Sequence, residues 1–241
     1  MRFWLLILFS LTLDASEIGE ISELSGNGEI NRGDSEVKLN AEIDSDIFSF
    51  DDVRTGNGRL AIQFLDDSVV KLTEHSKLVI DEFIYDPDPA KSKLALNMAS
   101  GTARFITGKL GLINKENISI KTPTASIGIR GTDFTATVDE LGRSLIILLP
   151  NADGTSSGEI TVTTAMGVEI LNEAFQATMV SAWEQEPTPK VTLGGMTLGM
   201  IDNMLIIQKP PEVVQAIEEQ ELGVSPTAEL DKDFFEDAPD L

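Results

Sequence analysis

The side chains with most chemical potential in this 241-residue chain are its carboxylates. Asp66 and Asp67 stand side by side, and two carboxyls are what glycoside hydrolysis requires. Neighbouring residues on a strand point to opposite faces, so Asp66-Asp67-Ser68 reads instead as a tight turn. Asp86, Asp88 and the run from Asp231 to Asp240 offer oxygen ligands for Ca²⁺, but neither has EF-hand spacing, and both read as solvated turn and tail. Met196, Met200 and Met204 recur every four residues. Their thioethers suit Cu(I), yet a methionine stripe more often packs against a core, and that reading is taken here. His75 is the single histidine, between Glu74 and Ser76, and reads as a surface turn residue; no G-x-S-x-G accompanies it. The absence of cysteine excludes thiol nucleophiles, thiolate metal sites and disulfides. No catalytic residue, metal or cofactor is therefore expected, and the chain reads as a non-enzyme.

Charge narrows the partners. There are 40 acidic against 18 basic residues, a net charge of −22. Phosphate-backbone binding needs a basic footprint, so nucleic acid is not an expected partner. The acidity is uneven: residues 17–89 carry −12 and residues 210–241 carry −9, while residues 90–149 carry +4.

The elements that must position these groups are strands. From Glu17 to about Val180 the apolar pattern has period two. Leu60–Phe64, Val69–Leu72, Lys77–Ile80 and Ile118–Ile120 are short apolar or β-branched runs, separated by turn formers such as Thr55-Gly56-Asn57-Gly58 and Asn151-Ala152-Asp153-Gly154. Many short strands at this spacing predict an all-β sandwich, barrel or solenoid. Leu145–Leu149 is continuously apolar, which predicts a strand buried on both faces, with Ile160–Thr164 as its return strand.

Outside this region the composition changes. Phe3–Leu13 is apolar over the length of a signal-peptide core, so residues 1–16 are expected to be a signal peptide, retained as an anchor if uncleaved. The mature chain is then exported to a periplasm, cell surface or medium, with no transmembrane segment after cleavage. Residues 17–190 form the expected β domain, with Trp183–Pro189 as a linker. Residues 191–209 are expected to hold a short packed helix, over Thr197–Ile207, and 210–241 an acidic, partly helical or flexible tail.

Three ordered blocks go further than pattern. They are Asp51 to Asp81 (DDVRTGNGRLAIQFLDDSVVKLTEHSKLVID), Leu96 to Phe105 (LNMASGTARF) and Ile120 to Phe134 (IKTPTASIGIRGTDF). Together they resemble the FecR family of periplasmic sensor domains. The signature positions are Thr55, Gly56, Asp66, Ser68, Gly101, Thr122, Pro123, Arg130, Gly131, Thr132 and Phe134, with Asp67 where the family usually has glycine. The resemblance implies a β-solenoid-like stack of short strands. Well-known members carry a cytoplasmic segment that contacts a sigma factor; only a signal-like segment precedes the β region here, so sigma-factor regulation is not expected.

The signature has its own physics. Gly131 can turn a sharp corner. A guanidinium at Arg130, beside Ile129, predicts a buried corner in which its fork meets carbonyls or a carboxylate, with Asp133 and Asp66 as candidates; an anion-binding Arg130 is the alternative. The resulting function is an exported sensor or protein-interaction module whose partner is an envelope or extracellular protein. The competing reading is a carbohydrate-binding or carbohydrate-active β-solenoid, which the low aromatic content of 6% disfavours.

Overall fold

The computed structural model describes residues 16–33, 37–86, 91–109, 117–195 and 197. The chain divides into two compact units, Met1–Ile207 and Gln208–Leu241, and every described residue lies in the first. These residues are almost entirely strands and turns. In chain order the strands are β1 (Glu17–Ser25), β2 (Gly28–Asn31), β3 (Lys38–Asn40), β4 (Asp46–Phe48), β5 (Asp52–Thr55), β6 (Arg59–Phe64), β7 (Val69–Leu72), β8 (Lys77–Ile84) and β9 (Lys93–Ile106). There follow β10 (Ile118–Lys121), β11 (Ser126–Arg130), β12 (Asp133–Val138), β13 (Ser144–Leu148), β14 (Glu159–Thr163), β15 (Val168–Leu171), β16 (Gln176–Val180) and β17 (Val191–Thr192).

Two open sheets result. The first runs β4-β1-β6-β7-β9-β12-β13-β16-β17, antiparallel throughout. The second runs β3-β2-β5-β8-β9-β10-β11-β14-β15, antiparallel except for the parallel pair β9–β10. One rule generates most of this order: a hairpin in one sheet is embraced by an antiparallel pair in the other. Thus β2–β3 lies between the paired β1 and β4, β6–β7 between β5 and β8, and β12–β13 between β11 and β14. β9 belongs to both sheets, its first half pairing with β8 and β10 and its second with β7 and β12.

Alternation places one apolar face of each sheet inward, as expected for half-buried strands. Register then lines up rows of side chains: Ile21, Ile62, Val70, Phe105, Phe134 and Leu148 across the first sheet, and Ile80, Leu96, Ile120, Ile127 and Val162 across the second. These rows form one continuous core. Each fully buried aliphatic side chain in it stabilises by about 1.5–3 kcal/mol. Phe64 of β6 stacks on Phe83 of β8 at 5.2 Å between ring centroids, joining the sheets.

Three expectations change. Leu145–Leu149 is not buried on both faces: Ser144, Ile146 and Leu148 point inward, while Leu145 is exposed and Ile147 half-buried. A continuous run cannot say which face is covered, and here only one is. Ile160–Thr164 is not its return strand, because β14 crosses to the second sheet and pairs with β11 and β15. Trp183–Pro189 is no free linker: Thr188 donates its N–H to Met179 O at 2.9 Å, and Trp183 O accepts from Ala165 N at 3.0 Å. Val191–Thr192 is strand, whereas the helix expected over 197–207 lies, Thr197 apart, outside the described residues, as do the acidic tail, the signal segment apart from Ser16, and the methionine stripe.

Candidate functional site at the polar corners

Most signature residues sit at corners and turns: Thr55, Gly56, Gly101 and Arg130–Thr132 where the chain passes between sheets, Asp66, Ser68, Thr122 and Pro123 in hairpin turns within one sheet. At the β5–β6 corner the Thr55 hydroxyl donates to Thr73 O at 2.5 Å and accepts from Ser76 N at 2.8 Å. Ser76 carries the link onward, its hydroxyl accepting from Thr102 N at 3.0 Å. Gly101 lies beside it at the point where β9 leaves one sheet for the other, with φ +85°, and an added Cβ would fall 2.3 Å from Ser76 Oγ. Only glycine fits that bend. Gly56 faces Asn27, which would stand 2.7 Å from a Cβ there.

At the β6–β7 turn the buried Asp66 carboxylate accepts from Ser68 N at 3.0 Å and Ser68 Oγ at 2.7 Å. The Ser68 hydroxyl in turn accepts from Gly108 N at 2.9 Å. Asp67 has φ +65°, the conformation that explains the usual glycine at this position, and its exposed carboxylate meets Lys109 at 2.6 Å. Asp66 and Asp67 thus hold a turn, one buried and one exposed.

The Thr-Pro turn between β10 and β11 is built the same way. Thr122 Oγ1 accepts from Ala125 N at 3.0 Å and from Ser144 Oγ at 2.7 Å, and Thr124 shares a 2.6 Å hydrogen bond with Ser144. Pro123 is exposed there, where no ladder donor is required.

The Arg-Gly-Thr corner departs from expectation. Arg130 ends β11 exposed, across from Glu159 in the register, and forms no ion pair among the described residues. The buried-corner role belongs to Arg104 of β9, whose Nε and Nη2 donate to the Asp133 carboxylate at 2.9 and 2.6 Å. Asp133, one of the two partners expected for Arg130, is thereby engaged elsewhere, and Asp66 is held by Ser68. The physical reason is that strand alternation turns Arg130 outward while Ile127 and Ile129 point in. Gly131 turns with φ +56°, and Gly158 packs so closely that a Cβ would fall 2.0 Å from Gly131 O. Thr132 is clamped through its backbone: Thr107 Oγ1 donates to Thr132 O at 2.5 Å and accepts from Thr132 N at 3.1 Å. Its own hydroxyl is buried with no partner among the described residues. Phe134 stacks on Phe105 at 4.9 Å.

This corner lines a cleft of about 340 Å³ whose polar wall includes Arg104, Thr107, Thr132, Asp133, Asn151 and Ser157. Ser157 ties the wall together, accepting from Asp133 N at 3.0 Å and donating to Leu149 O at 2.6 Å. Arg104, Thr107, Ser76, Ser144 and Ser157 were not singled out in the sequence. Arg104 lies within the second block, and only the register of β9 on β12 reveals its partner. Among the described residues no group of three or more His, Asp or Glu is placed to hold a metal ion, and no helix is long and apolar enough to cross a membrane.

Two further carboxylates edge the matched blocks. Burial pushes the Asp51 carboxyl up, against the Phe48 N–H and the Arg32 guanidinium, which stands 2.7 Å away. Burial acts upward on Asp52 too, but hydrogen bonds from Arg54 and Lys77 outweigh it and hold that carboxyl below its usual range.

No curated protein matches the chain. Among solved structures, two crystal structures of a candidate anti-sigma factor from Parabacteroides distasonis ATCC 8503 are similar. One has 14% identity and a TM-score of 0.45, covering 71% of this chain and 91% of that one. The other has 13% identity and a TM-score of 0.44, covering 71% and 92%. The family model described as FecR protein matches residues 51–150, the span of the three blocks.

Proposed function

We propose that this chain is an exported, non-enzymatic signalling module that works by binding a protein of the envelope or the extracellular space. The FecR match over residues 51–150 carries the reading. The corners support it. Thr55, Asp66, Ser68 and Thr122 hold the fold, and Arg130 is left at the surface beside a polar cleft, available to a carboxylate on a partner. The ordered progress of both sheets suits a solenoid-like stack, which presents broad faces to a partner. The apolar run Phe3–Leu13 supports export.

A photo-crosslinking residue at Asn151, on the cleft rim, tests the binding reading in the native envelope. One dominant protein adduct is expected, and Arg130→Glu should reduce it at least tenfold. An adduct indifferent to Arg130→Glu, or none, would overturn the assignment. Fractionation with N-terminal sequencing checks export: the mature chain should begin near Ser16 or Glu17 outside the cytoplasm.

A further inference from the structure

Among the described residues, four strands end the sheets with a single partner each: β4 and β17 in the first, β3 and β15 in the second. A bare edge is a template for another strand, and three of these are closed or too short to serve. At β4 the Arg32 guanidinium donates to Asp46 O at 2.8 Å, and Phe48 N donates to the Asp51 carboxylate at 2.9 Å. At β15 the Ile170 N–H donates to the Glu169 carboxylate at 3.2 Å, and Ile170 O accepts from Lys190 Nζ at 2.8 Å. β17 has two residues.

β3 differs in leaving its outer groups open. Arg32 N donates to Val37 O at 3.1 Å and Ala41 N to Gly28 O at 2.9 Å, which closes both ends of the β2–β3 hairpin. Antiparallel pairs alternate between bonded and non-bonded, so Ile30–Leu39 is a bonded pair, while Asn31–Lys38 and Glu29–Asn40 are not. The N–H and C=O of Lys38 and of Asn40 therefore point away from β2, without a partner among the described residues. Val37 and Leu39 share the face of the fully buried Ile30, yet they are 51% and 40% exposed. The core face of the second sheet thus reaches its edge uncovered. Just beyond Asn40 the chain carries Glu42, Asp44 and Asp46, all exposed and none in an ion pair among the described residues.

We propose that β3 is a docking edge for an extended segment of a partner protein, added as one more strand, in which apolar residues alternate with lysine or arginine. The main chain of that segment pairs with Lys38 and Asn40, and its apolar side chains cover Val37 and Leu39. Its cations meet Glu42, Asp44 and Asp46. A second copy is a poor occupant, because each copy carries a net charge of −22 and the two repel. The edge is distinct from the Arg104–Asp133 cleft and needs nothing from Arg130.

The test uses the full-length protein and an end-capped peptide alternating valine and lysine. On binding, hydrogen exchange at the Lys38 and Asn40 amides should slow at least tenfold while β15 is unchanged. The same peptide N-methylated throughout keeps its charge but loses its donors, and should bind at least tenfold more weakly by fluorescence anisotropy. Asn40→Pro removes one outward N–H and leaves the β2–β3 ladder whole, so with Tm unchanged it should weaken binding at least tenfold as well. Equal binding of the N-methylated peptide, or equal affinity in a folded Asn40→Pro protein, would reduce the effect to attraction between a cation and an acidic chain and overturn the proposal. No binding would overturn it too, as would protection of Lys38 and Asn40 that rises with protein concentration alone, which assigns the edge to a second copy.

Discussion

At the scale of single residues, hydroxyls rather than charges define the matched segment. The Thr55 hydroxyl serves two backbone groups, so Thr55→Val leaves Thr73 O and Ser76 N short of a partner and should cost about 1–3 kcal/mol in urea unfolding. The Thr132 hydroxyl is buried with no partner among the described residues, so Thr132→Val should be neutral or stabilising by up to about 1 kcal/mol. The two arginines separate in the same assay. Arg104→Ala strands the Asp133 carboxylate and should cost about 2–3 kcal/mol, whereas Arg130→Ala should stay within about 0.5 kcal/mol. Acid stability belongs at this scale too. The Asp52 carboxyl is lowered in the fold, so the stability it contributes is present above its usual 3.8 and is lost as pH falls through the folded value. Asp52→Asn should therefore flatten the acid-side fall in Tm below about pH 4. Asp51, raised by burial, acts in the opposite sense: its protonated form favours the fold, and that contribution fades as pH rises through its folded value.

At the scale of elements, glycines decide where strands can change sheets. Gly101→Ala combines a left-handed backbone with a Cβ 2.3 Å from Ser76 Oγ, and should cost more than about 3 kcal/mol by thermal or urea unfolding. Gly142→Ala is the matched control. Its φ is +80°, but the nearest atom to an added Cβ is 3.7 Å away, so only the backbone cost of about 1–2 kcal/mol applies. Period two made the strands legible from sequence, because each inward face is read directly from residues such as Ile62, Phe64, Val70 and Leu72. The corners were legible only as glycines, prolines and small polar residues. Their wiring was not, since a hydroxyl gives no sign of a partner far along the chain: Thr124 donates to Val180 O, 56 residues away. Arg130 was misplaced for a related reason, because the motif groups it with Gly131 and Thr132 while the pleat turns it outward. The Leu145–Leu149 run failed differently, since its outward residues have a face to themselves that sequence alone does not supply.

At the scale of the whole molecule, β9 stands apart. It pairs with β7 and β8, which precede it, and with β10 and β12, which follow, one half in each sheet. Neither sheet can be completed without it. Amides of 93–106 should therefore exchange most slowly with solvent, near the global unfolding limit, and a faster exchange there than in β2 or β15 would show that the sheets open separately. The kinetic consequence is one of order. Strands β1 to β8 can assemble hairpin by hairpin as the chain emerges, but they end in two unfinished edges until β9 arrives, and each edge is a template for a wrong partner. Once β9 is laid down it presents a fresh edge on both sheets at once, and everything from β10 onward can add to it. The bend at Gly101 then acts as a gate in folding time: a chain that stalls there leaves its first half sticky, and one that passes it can zip to the end.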